Sequence, residues 1–201
     1  HELLRFKGQS KYLRAECFAA YAKYRESMDL FEAAEMEFRE RQNFAGGNDS
    51  SESKLHRIQL KRAELYLELD QPQKALAAAQ AVLFNEGNPP GDEIKGEACY
   101  ILARVSARSP GPFPKSALAY LEEGVAQVPV DSISEIGWKL HFELANEYRK
   151  LKDFEKASSH YKQAKVGINY FVWRFTSESL RSVYLAALNR SAVLKEIARY
   201  L

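Results

Sequence analysis

Four related segments recur along the chain, and this internal repetition restricts the possible folds more than any other feature of the sequence. The run Arg14–Phe18 (RAECF) returns as Arg62–Tyr66 (RAELY). Looser copies follow at Leu102–Arg104 (LAR) and at Leu144–Tyr148 (LANEY). Each copy is followed by a turn and by a second apolar pattern of helical period, so each copy predicts two consecutive helices.

The fourth copy, residues 138–164, shows the pattern most clearly and contains neither glycine nor proline. Its small residues Ala145 and Ala157 allow two antiparallel helices to approach closely, and the bulky Tyr148 and Tyr161 fill the space beside them. This order of small and aromatic residues resembles the tetratricopeptide repeat (TPR). On the same frame, the matching residues of the other copies are Ala15, Phe18, Ser27, Phe31 and Ala34; Ala63, Tyr66, Ala75, Ala79 and Leu83; and Ala103, Ala117, Leu121 and Pro129.

The resemblance implies an all-α chain folded as a right-handed α-α superhelix of about four TPR-like helical hairpins. The hairpins would cover approximately residues 8–42, 56–88, 96–130 and 138–169, in a single helical repeat domain that spans residues 1–201. A hairpin of this kind cannot bury its apolar face alone and needs a stacked neighbour. We therefore expect two C-terminal capping helices, within residues 176–201, to cover the end of the stack.

The copies are not evenly spaced. Ala15 and Ala63 lie 48 residues apart, whereas about 34 residues separate neighbouring TPR repeats. We predict that the extra residues form a loop at 43–53, because this stretch is rich in turn formers. In the third copy the segment Ser109–Pro114 contains three prolines, which predicts a hairpin with a stiffened turn.

The segment from Thr176 onward is similar to the segment that closes the repeat region in large bacterial signalling proteins. In those proteins, helical repeats are joined to kinase, cyclase or transcription-activating domains, so the similarity implies a regulatory module. The chain also begins with His1 in place of methionine, and we expect it to be a piece of a longer protein.

Composition and motifs argue against several functional classes. The chain has 29 Lys and Arg against 27 Asp and Glu, so it lacks the excess of basic residues that direct nucleic-acid binding usually needs. Cys17 and Cys99 form no CxxC pair, and no HExxH spacing occurs, so we predict no metal site. Phosphate-binding glycine loops and GxSxG elbows are missing from the sequence, and we predict no catalytic residues, no cofactor and no enzyme activity. Because no uncharged apolar run reaches about 18 residues and no signal-peptide pattern opens the chain, we expect a cytoplasmic protein that does not bind membranes.

In TPR proteins the first helices of the hairpins usually line a concave groove that holds a peptide, and the resemblance implies such a site here. The predicted partner-binding groove consists of Tyr12, Glu16, Arg57, Leu60, Glu64, Tyr100, Arg104, Arg108, Lys139, Phe142, Asn146, Arg149 and Lys150. Tyr12, Leu60, Tyr100 and Phe142 repeat at one position and predict an apolar stripe, since large side chains anchor interfaces well. The alternative is that these side chains pack against the neighbouring helices.

The C-terminal half of the predicted groove carries a basic patch. Its members are Arg104, Arg108, Lys139, Arg149 and Lys150. We hypothesise that the partner presents an acidic group to this patch; the alternative is that the charges only keep the surface solvated. The carboxylate clamp of chaperone-binding TPR proteins does not match, because Tyr12, Glu16 and Glu97 occupy three of its positions.

The sequence therefore predicts an interaction module, a scaffold or sensor that binds another protein or a peptide through the groove. Two alternatives remain open. The chain could be a structural helical arm of a larger enzyme or transcription regulator, or a receptor for a short signalling peptide. An imperfectly capped end would also favour a homodimer.

Overall fold

The computed structural model describes residues 2–45, 51–108, 114–128 and 134–201. In this part of the chain all regular secondary structure is helical and no strand occurs, so the all-α prediction is confirmed. None of the helices described here is both long and apolar enough to cross a lipid bilayer. The α-helices are α1 (Glu2–Ala20), α2 (Tyr24–Ala45), α3 (Ser51–Glu68), α4 (Pro72–Leu83), α5 (Asp92–Arg108), α6 (Ala117–Gln127), α7 (Glu135–Lys150), α8 (Phe154–Arg174), α9 (Glu178–Ala186) and α10 (Arg190–Ile197).

The predicted boundaries of the loop at residues 43–53 are both wrong, because each end of that stretch is helical. Helix α2 continues to Ala45 and helix α3 begins at Ser51, while residues 46–50 lie outside the described part of the chain. Longer helices take up much of the extra sequence, because α1, α2 and α3 have 19, 22 and 18 residues. Serine and glutamate are common in the first turn of a helix as well as in loops. Glu52 lies in that turn, and its carboxylate accepts a hydrogen bond from Gln42 of α2 at 2.6 Å.

Three of the hairpins end their first helix in the same way. Ala22, Asp70 and Lys152 each adopt the left-handed conformation, with φ of 56°, 56° and 62°. In each turn the next residue donates a backbone hydrogen bond to the carbonyl five residues earlier. The pairs are Lys23 to Phe18 (2.9 Å), Gln71 to Tyr66 (2.7 Å) and Asp153 to Tyr148 (3.0 Å). This is the Schellman arrangement, which closes a helix end and reverses the chain. The predicted proline-rich turn at Ser109–Pro114 lies almost wholly outside the described residues.

The small residues that the repeat pattern identified lie between paired helices. Ala15, Ala63 and Ala145 of the first helices are buried, as are Ser27, Ala75 and Ala157 of the second helices. In the first hairpin the close approach includes a hydrogen bond, which the Ser27 hydroxyl donates to the Ala15 carbonyl at 2.8 Å. A larger side chain at these positions would push the two helices apart.

Consecutive helices pack against each other from α1 to α8, and α3 also packs on α5, as α5 does on α7. The buried apolar residues form two clusters. One consists of residues from α1, α2 and α3, including Phe31 and Phe38. The other extends from α3 to α8 and includes Ile197 of α10. Packing of this kind joins each hairpin mainly to its neighbours.

Helix α10 packs on α8 and, by contacts at its two ends, has the same direction as α7. At its start, the Arg190 guanidinium donates to Glu135, the first residue of α7, at 2.9 Å. At its end, Glu196 lies 3.7 Å from Arg149 in the last turn of α7. Beyond the helix, the Tyr200 ring stacks on Tyr161 of α8, with ring centres 5.4 Å apart. Both ends of α10 are therefore joined to the corresponding ends of α7.

Candidate functional site

A cavity of ≈ 300 Å³ opens on the side of the molecule formed by the first helices, and we call it the groove pocket. Four alternate helices, α1, α3, α5 and α7, contribute to its wall together with the first residue of α10. Its lining residues are Tyr12, Glu16, Arg57, Leu60, Lys61, Glu64, Glu97, Tyr100, Ile101, Glu135, Ile136, Lys139 and Arg190.

The structure brings part of the predicted groove together in this pocket. Seven of the predicted residues line it: Tyr12, Glu16, Arg57, Leu60, Glu64, Tyr100 and Lys139. Six predicted residues are not part of its wall: Arg104, Arg108, Phe142, Asn146, Arg149 and Lys150. Two of these six instead serve internal contacts, since Asn146 accepts a hydrogen bond from Tyr161 at 2.6 Å and Phe142 packs against the larger core cluster.

Six residues of the wall were missing from the predicted set: Lys61, Glu97, Ile101, Glu135, Ile136 and Arg190. Glu97 occupies in its copy the position that Lys139 occupies in the fourth copy, so the repeat frame does contain a signal for it. Lys61 and Ile101 each follow a predicted position directly. Arg190 has no such signal, because it comes from the capping segment and reaches the pocket only through the packing of α10.

Two of the four residues of the predicted apolar stripe are buried in the core. The exposed fraction is 7% for Tyr12 and 1% for Leu60, whereas Tyr100 and Phe142 are half-buried. The Tyr12 ring packs edge-on against Phe31, with ring centres 5.5 Å apart. For Tyr12 and Leu60, packing against neighbouring helices is therefore the better interpretation, and a ligand can touch only a small part of either side chain.

Ion pairs connect α3 to α5 along the groove, and the two residues of each pair are 36 or 40 positions apart in the sequence. Arg57 contacts Glu93 at 2.7 Å and Glu97 at 3.2 Å, and Arg104 contacts Glu68 at 2.9 Å. The Arg104 guanidinium also lies over the Tyr100 ring, 5.7 Å from its centre. These pairs hold the two helices side by side and in the same direction. They also mean that neither arginine presents an uncompensated charge.

The rest of the predicted basic patch is largely neutralised as well. Arg149 contacts Tyr200 and Glu196, and Lys150 contacts Glu147 at 2.5 Å. Arg108 donates to the Leu67 carbonyl at 3.4 Å. Lys139 differs from the others, since no carboxylate of the described residues lies within ion-pair distance of it.

Burial and nearby charged groups shift the pKa values of several charged side chains in the pocket. Burial alone would raise the pKa of Glu64, but the Lys61 ammonium, 3.0 Å away, holds it below its usual value. Burial raises the pKa of the Glu97 carboxyl despite the attraction of Lys61 and Arg57. Burial also lowers the pKa of Lys139, and the charge of Lys61 adds to this effect, although Glu64, Glu135 and Glu97 oppose it.

Glu135 joins the pocket to the C-terminal helices. Its carboxylate accepts hydrogen bonds from Trp138 at 2.9 Å, Tyr184 at 2.7 Å and Arg190 at 2.9 Å. Although burial opposes ionisation, these bonds hold the pKa of Glu135 below its usual value. The Arg190 side chain is itself buried and donates further bonds to the Tyr184 and Ala187 carbonyls. The C-terminal end of the pocket is thereby fixed.

A second pair of titratable groups lies outside the pocket, between α7 and α8. The Nδ1 atoms of His141 and His160 are 3.0 Å apart, and their rings stack. This contact requires one ring to donate and the other to accept, so it is lost when both are protonated. Burial lowers the pKa of His141 to about 4 and also lowers the pKa of His160, with Lys156 adding to the second effect and Glu122 opposing it.

We expect the histidine pair to make the fold sensitive to mild acid. His141 has a pKa of about 4 in the folded chain against an ordinary value of 6.5, so the unfolded chain binds the proton more readily. Stability is therefore complete above pH 6.5 and falls as the pH approaches 4, by about 2–3 kcal/mol. Urea unfolding across this pH range measures the effect. His141→Asn keeps a hydrogen-bonding group but does not titrate, and its profile should be flatter; equal slopes for both chains would contradict this assignment.

The described residues contain no group of three or more His, Cys, Asp or Glu side chains arranged to hold a metal ion. No protein-family model and no curated protein matches the chain, so the geometry of the site is the main guide to its function.

Proposed function

We propose that the chain is a TPR-like interaction module whose four hairpins form a right-handed superhelix and whose concave side binds another protein or a peptide. The observation that carries this proposal is the convergence of α1, α3, α5 and α7 on one pocket. Alternate helices can share a pocket when each hairpin repeats the rotation of the previous one, which is how solenoids produce concave binding surfaces. The three identical hairpin turns support the same repetition.

The partner would meet the groove at the rim near the C-terminal ends of α5 and α7. Arg108 and Lys150 lie there, and their side chains are 50% and 63% exposed. Both occupy the last inward position of their copies, and both remain accessible although each has a carboxylate nearby. Exposed basic groups of this kind attract an acidic partner and speed its encounter, with an effect that salt weakens. The proposed partner therefore carries acidic groups.

A charge-reversal pair tests this proposal. We expect Arg108→Glu combined with Lys150→Glu to reduce capture of the partner from cell extract at least tenfold, because acidic groups on both sides then repel each other. Capture is measured with immobilised chain and mass spectrometry, and the lost proteins should be those that high salt also releases from the unaltered chain.

The matched control replaces Lys162 and Lys165, two exposed lysines of the second helix α8, with glutamate. It changes the net charge by the same amount but lies outside the row of first helices, so capture should persist. Equal loss with both double variants would indicate nonspecific charge attraction. Full capture by both would place the partner elsewhere.

One observation favours the alternative of a structural arm within a larger protein. Val166, Tyr170 and Trp173 lie on α8 at helical spacing and are all exposed. An exposed row of large apolar side chains on one helix face is a common site of contact between domains. Under this alternative, partner capture depends on α8 and survives reversal of Arg108 and Lys150.

A further inference from the structure

The charges in the groove pocket are balanced, and most of them are already paired. Four cationic and four anionic side chains line it: Arg57, Lys61, Lys139 and Arg190, and Glu16, Glu64, Glu97 and Glu135. Three ion pairs account for six of these groups, namely Arg57 with Glu97, Lys61 with Glu64, and Arg190 with Glu135. Lys139 and Glu16 remain without an ion-pair partner among the described residues.

These two groups come from opposite ends of the row of helices. Glu16 lies on α1 and its carboxylate accepts one hydrogen bond, from the Tyr12 hydroxyl at 3.2 Å. Lys139 lies on α7, with its ammonium 5.9 Å from the centre of the Trp138 ring. Because the pocket is lined by both, a molecule inside it meets a carboxylate on one side and an ammonium on the other.

The incomplete hydration of Lys139 gives a bound anion an energetic advantage. Burial has already lowered the pKa of this ammonium, so part of its hydration is lost without a ligand. A carboxylate placed against it would restore a charge-assisted hydrogen bond. A ligand with only a negative charge would, however, leave Glu16 unpaired and make the pocket net negative. Charge balance favours a ligand that carries both signs.

The wall beside the two charged groups offers Tyr100 as its main accessible ring. This side chain is half-buried, and burial raises the pKa of its hydroxyl to about 12, so it stays neutral. Leu60, Ile101 and Ile136 also line the pocket, but each is at most 5% exposed. A volume of ≈ 300 Å³ lies at the small end of the usual range for ligand pockets. A molecule the size of one amino acid matches it better than a folded segment does.

We propose that the groove pocket binds a small zwitterion whose ammonium and carboxylate groups lie at the two ends of an apolar chain. Lys139 takes its carboxylate and Glu16 takes its ammonium group. This ligand site goes beyond the proposed binding of a protein or peptide at the rim, since neither Arg108 nor Lys150 lines the pocket. The two proposals can therefore fail independently.

The test uses titration calorimetry with the full chain and 5-aminopentanoate or 6-aminohexanoate as probes. We expect saturable binding of at least one of the two at millimolar or lower concentration. For the amino acid that binds, the analogue without the ammonium group and the analogue without the carboxylate, for 6-aminohexanoate hexanoate and pentylamine, should each bind at least tenfold more weakly, because each leaves one pocket charge unpaired. Absence of binding by both amino acids, or equal binding by an analogue, would overturn the proposal.

Two variants assign the roles of the charged groups. Lys139→Met keeps the length of the side chain and should weaken binding of the amino acid at least tenfold while leaving the affinity of the amine analogue unchanged. Glu16→Gln should do the reverse, sparing the carboxylate analogue. Lys162→Met and Glu26→Gln, at exposed positions of α8 and α2, are the matched controls and should bind like the unaltered chain. Weakening by the controls, or unchanged binding by both pocket variants, would reject these roles.

Discussion

Replacing Phe31 with alanine should destabilise the first hairpin by about 3–5 kcal/mol, the usual cost of removing a buried aromatic side chain. Phe31 is almost completely buried in α2, where its ring packs against Tyr12 of α1. The cluster that contains it draws all its buried residues from α1, α2 and α3. We therefore expect α1 and α2 to lose protection against hydrogen exchange while α5 to α8 keep theirs.

The exposed Met36 of the same helix provides the control, since Met36→Ala removes a large side chain from solvent and should leave exchange unchanged. A chain built around one central core would respond differently to Phe31→Ala. Its helices would lose protection together, because global unfolding would be the only route to exchange. That outcome would contradict both the separate cluster and the repeat architecture that we propose.

The sequence was most informative where packing depends on a single small side chain. Ala15, Ala63 and Ala145 recur because two helices cannot approach closely over anything larger, so their burial could be read from the pattern. The length of α2 and α3 could not be read in this way. Serine and glutamate near residue 52 suit both a loop and a first helical turn, and the contact of Glu52 with Gln42 is visible only in three dimensions.

The sequence indicated about half of the residues that line the groove pocket, but it did not indicate which of the charged side chains are paired. The repeat frame selects side chains that point to one side, and seven of them line the pocket. Whether a basic side chain is free depends on a carboxylate about one repeat away, as with Arg104 and Glu68, or in the capping helices, as with Arg149 and Glu196. Sequence offsets of 36 and 47 residues carry no local signal, so the unpaired state of Lys139 emerges only from the fold.

Tyr161 occupies in the fourth hairpin the place that Phe31 holds in the first, and its replacement by alanine should also cost about 3–5 kcal/mol. Tyr161 is fully buried, stacks on Tyr200 and donates to Asn146 at 2.6 Å, so the loss should expose α7, α8 and α10 to exchange while α1 and α2 stay protected. Tyr161→Phe, which removes only the hydroxyl, is the control and should cost about 1 kcal/mol in urea unfolding.

The two alanine variants together give the strictest test of the architecture. In a stack where each hairpin contacts only its neighbours, distant substitutions act independently, so the costs of Phe31→Ala and Tyr161→Ala should add within about 0.5 kcal/mol. Their side chains belong to different clusters, although the partly buried Tyr66 packs against both clusters. Urea unfolding of the double variant, compared with the sum of the single variants, measures this directly. A larger deviation would mean that the first and fourth hairpins share one core, and the superhelix with its concave side would then have to be abandoned.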